Sequence, residues 1–85
     1  MNLDLGIKHE TALAGRECRT RVPIRELSTG RTREILVHGI AEAMGCPDFY
    51  LLKIDLSCRP PAGWTWDFSG GLQVIRHVES LRVVT

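Results

Sequence analysis

Residues 31–44 read RTREILVHGIAEAM, and the secondary structure assigned to them decides the fold. The apolar residues Leu36, Val37, Ile40, Ala41 and Met44 recur at helical spacing, while Glu34, His38 and Glu42 fall on the other side. Ser28 or Thr29 stands where an N-cap belongs, Gly45 can adopt the left-handed conformation that ends a helix, and Pro47 forbids continuation. The spacing therefore predicts a helix over 31–44. Gly39 in its interior costs about 1 kcal/mol relative to alanine. Two accounts of that glycine stand open: a strand or another chain passing close to the backbone, or a tolerated surface position.

Upstream of this segment, Cys18, Thr20, Val22 and Ile24 share one parity and Arg19, Arg21 and Arg25 the other. Successive side chains of a strand point to opposite faces, so the pattern predicts a strand with a core face and a basic face. Downstream, Tyr50, Leu52, Ile54, Leu56 and Cys58 alternate with Leu51, Lys53, Asp55 and Ser57, which predicts a strand over 49–58. Arg59-Pro60-Pro61-Ala62-Gly63 cannot extend a ladder and leads into Trp64-Thr65-Trp66-Asp67-Phe68, a hairpin with a long turn. Gly70-Gly71 marks a further turn. Beyond it Leu72, Ile75, Val78 and Leu81 recur every three residues, but the β-branched runs at Leu72–Ile75 and Leu81–Val84 place two strands ahead of one helix plus a strand. The expected fold class is α+β: one central helix packed on a mostly antiparallel sheet of four to five strands, with residues 1–85 as a single small domain.

The composition, 44% hydrophobic and 25% charged, is that of a folded chain rather than a disordered one. Met-Asn-Leu-Asp-Leu-Gly at the start has neither the basic n-region nor the apolar h-region of a secretory signal, and no apolar run is long enough to span a bilayer. Three irregularly spaced cysteines, Cys18, Cys46 and Cys58, are not a disulfide framework. A cytoplasmic protein without membrane association is expected.

Charge is uneven along the chain. Residues 16–33 hold Arg16, Arg19, Arg21, Arg25, Arg31 and Arg33 against Glu17 and Glu26 alone, although the whole chain carries only +1. A dedicated nucleic-acid binder usually carries more net positive charge, because phosphate contacts supply most of its affinity. The stripe is accordingly a candidate partner-binding surface, with Lys53 and Arg82 lying outside it in sequence. Trp64 and Trp66 are the second candidate. With Phe68 they share one strand face and make up three of five aromatics, serving either as core anchors or as an exposed platform.

Catalytic and metal chemistry find little footing. His9, Cys18, His38, Cys46, Cys58 and His77 are scattered singly, without the spacing that closes a loop around an ion, so neither metal nor cofactor is expected. Cys46 follows the C-terminus of the expected helix, where the dipole disfavours a thiolate. Cys58 and His77 could meet only across a sheet. Thr29-Gly30-Arg31-Thr32 lacks the spacing of a phosphate-binding loop. A protein that is not an enzyme is expected.

The run Ala41-Glu42-Ala43-Met44-Gly45-Cys46-Pro47-Asp48-Phe49-Tyr50-Leu51-Leu52, with the terminal Leu81-Arg82-Val83-Val84-Thr85, resembles the small phage anti-CRISPR proteins that act on type I systems. The resemblance covers under a third of the chain and carries over no functional residue. It implies a non-catalytic inhibitor in the bacterial host cell that occupies a functional surface of a larger protein or ribonucleoprotein complex, a Cas effector. The alternative class is a small nucleic-acid-binding or regulatory domain.

Overall fold

A computed structural model describes residues 13–84, which form one antiparallel sheet of six strands. In chain order these are β1 (Glu17–Glu26), β2 (Thr32–Ala43), β3 (Phe49–Ile54), β4 (Trp64–Trp66), β5 (Gln73–His77) and β6 (Arg82–Val83), with a single 3-10 turn, Val78–Ser80, before β6. The spatial order is β4-β1-β2-β3-β5, and β6 pairs with the same strand β1. The sheet curls into a half-barrel.

The expected α+β class is overturned, because residues 31–44 are not a helix. They form β2, the longest strand, paired to β1 from Ile40 opposite Glu17 to Thr32 opposite Arg25, and to β3 from Gly39 opposite Ile54 to Ala43 opposite Tyr50. The helical period was produced by a strand that is apolar on both faces. Val37 and Ala41 point into the core, whereas Leu36 and Ile40 lie on the outer face, 53% and 45% exposed, and Met44 follows the strand at 44%. Two interleaved apolar rows mimic one helical stripe. Ser28 and Thr29, expected to cap the start of that helix, belong to the β1–β2 hairpin turn, where Gly30 takes φ 76° and its amide donates to the Glu26 carbonyl at 2.8 Å. Gly45, expected to end it, lies with φ 78° between β2 and β3.

Gly39 answers the question its position raised, in a different setting. A Cβ there would lie 2.7 Å from the Lys53 carbonyl carbon and 2.9 Å from Ile54 Cα, and would collide with the Lys53 oxygen. The close approach is real, and β3 makes it.

Two further expectations change. The strand over 49–58 stops at Ile54, because Asp55 turns the chain: its carboxylate accepts from the Ser57 amide at 2.9 Å and from the Ser57 hydroxyl, and its carbonyl accepts from the Cys58 amide at 3.0 Å. Leu56 is left 75% exposed. β4 does not form a hairpin with β3 but crosses to pair with β1, Trp66 opposite Ile24 and Trp64 opposite Glu26. The segment after Gly71 contains two strands, β5 and β6.

Among the described residues no helix covers the sheet, and its inner face is buried by its own curl. Cys18, Val22, Val37, Ala41, Tyr50, Leu52, Ile54, Val74 and Leu81 form the core, with Trp66, Phe68 and Leu72 packed against it. The chain from β5 returns to the β1 edge through the 3-10 turn. Buried Thr20 on β1 donates its hydroxyl to the Ser80 carbonyl at 2.9 Å, and Arg76 on β5 reaches the Arg21 carbonyl at 3.3 Å. Those contacts hold the two ends of the curl together.

Gly39→Ala is expected to destabilise the fold by about 3 kcal/mol, since a single methyl must displace the backbone of β3. Chemical denaturation measures it, and unchanged stability would show that the two strands can part at no cost. Thr20→Val keeps the volume and strands the Ser80 carbonyl. A loss of about 1 kcal/mol is expected in the same measurement.

Candidate functional site

The parity of β1 places its arginines as the alternation predicts. Cys18, Thr20, Val22 and Ile24 are buried, while Arg19, Arg21 and Arg25 are exposed on the outer face. Arg16 is exposed just before the strand.

The six arginines of the stripe nevertheless do not act as one. Arg25 bridges Asp67 at 3.0 Å, Arg31 bridges Glu26 at 2.9 Å, and the Arg33 guanidinium lies 5.0 Å from the centre of the Trp64 ring. These three are engaged within the molecule at the hairpin end. Among the described residues, Arg19 and Arg21 have no hydrogen-bond or ion-pair partner for their side chains.

The aromatic candidates divide in the same way. Trp64 takes the Arg33 cation on its face. Trp66 lies 5.4 Å from Phe68 at a tilted angle, and both rings pack against the core cluster. Neither tryptophan belongs to the Arg19–Arg21 surface.

Sequence reading missed what surrounds that surface. In the β1–β6 register Arg82 stands directly opposite Arg19, so a residue remote from the stripe in sequence is one of its two direct cross-strand neighbours. Like charges directly opposite are unfavourable. His38 flanks Arg19 on the other side, from β2, and Leu36 flanks Arg21. A groove of about 560 Å³ opens here, lined by Arg19, Arg21, Leu36, Arg76, Arg82 and Glu34 among others.

Two of its guanidinium groups are held in place by backbone carbonyls rather than by carboxylates. Arg76 donates to the carbonyls of Ile75 at 3.0 Å and Arg21 at 3.3 Å. Arg82 donates to those of Glu79 at 2.8 Å and Leu81 at 3.2 Å. A guanidinium has five donors, so each keeps free N–H groups for an anion.

The basic window is short. Along the outer face Glu17 lies one row beyond Arg19, and Glu34, opposite Pro23, lies one row beyond Arg21. Glu17 approaches His38 Nδ1 at 3.0 Å, although the nitrogen is not aligned for a hydrogen bond. Glu79 borders the groove from the 3-10 turn. Carboxylates thus fence the positive charge on several sides.

The groups weighed for catalysis lie apart from this groove. Cys18 is buried, and burial pushes its thiol above the ordinary value, against nucleophilic use. Cys58 sits at the His38 carbonyl, 3.7 Å away, while His77 packs edge-on to Phe49 at 5.2 Å. Among the described residues no three His, Cys, Asp or Glu side chains gather as metal ligands. Among the same residues no helix is long and apolar enough to cross a membrane.

No protein-family model, no curated protein and no solved structure matches this chain.

Glu26 offers a pH test of the paired half of the stripe. Hydrogen bonds from Thr29 and then Arg31 hold its carboxyl below the usual value. A carboxyl depressed on folding contributes stability that is complete above its unfolded pKa and is lost as pH falls through the folded one. Amide protection factors across the 27–30 turn are therefore expected to fall in acid, relative to those of β1. In Glu26→Gln that pH dependence should vanish, and its persistence would move the cause elsewhere.

Proposed function

We propose that this protein is a small non-catalytic binding protein that docks on an anionic surface of a larger protein through the outer face of β1 and β6. The single observation that carries the reading is the juxtaposition of Arg19 with Arg82, beside an unpaired Arg21, in one groove. Such a cluster disfavours the free fold and is relieved by a partner's negative charge. Arginine is also enriched at protein interfaces, and half-exposed Leu36 gives the surface an apolar centre. An anti-CRISPR-like inhibitor, occupying a functional surface of a Cas protein or complex, is the particular form of this function expected from the sequence. It would need a docking face of this kind and no catalytic group.

A nucleic-acid partner fits the face less well. Its backbone carries charge at every nucleotide, whereas the window between Glu17 and Glu34 is limited, and the chain as a whole carries only +1.

The test is affinity capture from nuclease-treated host lysate with the parent chain and with Arg19→Glu/Arg21→Glu. The double variant is expected to lose the captured protein while its stability moves by no more than about 0.5 kcal/mol per site. Arg82 belongs to the face and cannot serve as a control. Lys53, paired with Glu42 at 2.9 Å on β2, can: Lys53→Glu should capture as the parent does. Full retention by the double variant would refute this docking face.

A further inference from the structure

We infer that the groove receives an extended acidic segment of the partner, carrying two carboxylates two residues apart; this rests on the reading of the β1–β6 face as the docking surface. Arg19 and Arg21 are separated by one residue on a regular strand, so their Cα atoms stand about 6.8 Å apart along it. Same-face side chains of any extended chain laid along β1 recur at the same interval. One carboxylate then meets Arg19 and Arg82 together, since those two are direct cross-strand partners. The next same-face carboxylate meets Arg21, with its methylene stem over Leu36.

The fences define the ligand's length as much as the arginines define its charge. A third carboxylate in the same row would run onto Glu17 at one end or Glu34 at the other, because each lies one outward-facing row past the basic pair. A discrete pair of anionic groups satisfies the window, and a continuous polyanion does not. The two carbonyl-held guanidinium groups, Arg76 and Arg82, are positioned before any ligand arrives, which lowers the ordering cost of binding. Carboxylate–guanidinium pairs are favoured further when bidentate.

The experiment is an amide-shift titration of the full chain at low salt with three probes. These are a blocked peptide bearing Glu-Ser-Glu between glycines, the same peptide with Gln-Ser-Gln, and a short oligothymidylate. The Glu peptide is expected to give saturable shifts at Thr20, Arg21, Leu36 and Arg82, and the Gln peptide none. Arg19→Ala, whose side chain makes no contact that a fold variant would need, should weaken the Glu peptide roughly tenfold or more. Lys53→Ala should bind it as the parent does. Tighter binding of oligothymidylate at the same amides would overturn the inference and make the groove a phosphate site. Absence of any shift with the Glu peptide would also overturn it; the docking face itself would survive if the double arginine variant still lost its captured partner, and would fall with the inference if it did not.

Discussion

The contact on which the rest of the molecule depends is the passage of β2 over the Lys53–Ile54 backbone at Gly39. Among the described residues the half-barrel is a single sheet without a second layer over its inner face, so burial there depends on the sheet bending sharply enough to close on its own side chains. A glycine in a central strand permits that close approach, because no Cβ stands between the two backbones. The isolated-strand cost of glycine is offset by what the approach makes possible, the burial of Val37, Ala41, Leu52 and Ile54 in one core.

Curvature also builds the surface. Only because the sheet turns back on itself does the chain leaving β5 reach the far edge of β1, pinned there by Thr20 to Ser80 and by Arg76 to Arg21. That return brings Arg82 against Arg19 and completes the groove. The inner face of β1 and its outer face thus serve separate ends, with Cys18, Thr20 and Val22 holding the core while Arg19 and Arg21 remain free of it. Substitutions on the outer row change charge without touching packing, and those on the inner row do the reverse.

The sequence was legible where one periodicity dominated. On β1 the alternation of arginine with Cys18, Thr20, Val22 and Ile24 gave strand, core face and basic face together. On β3 the inward set Tyr50, Leu52 and Ile54 was equally plain, and only the Asp55 turn hid the strand's end. It failed on β2, where Leu36 and Ile40 face outward and Val37 and Ala41 inward, so that both faces are apolar and their sum imitates a helix. Glycine and proline after residue 44 strengthened the imitation, since they end a strand as readily as a helix. Arg82 was illegible for another reason. Its proximity to Arg19 arises from a pairing across more than sixty residues of chain, and no local pattern encodes such a contact.

The same non-local pairing couples the groove to the closure of the fold. β6 is two residues long and is held by few backbone bonds, among them the Val84 amide to the Glu17 carbonyl at 2.8 Å. Placing Arg82 opposite Arg19 adds repulsion at this shortest strand, where the closure has least to offset it. An anion bound there, as proposed, would convert that repulsion into two attractions and favour the closed seam by mass action, since an open seam no longer presents both arginines to one ligand. Under that proposal, binding at the groove and docking of β6 on β1 are linked quantities. The strand that returns the chain to the β1 edge is also the strand that brings Arg82 to the proposed docking face.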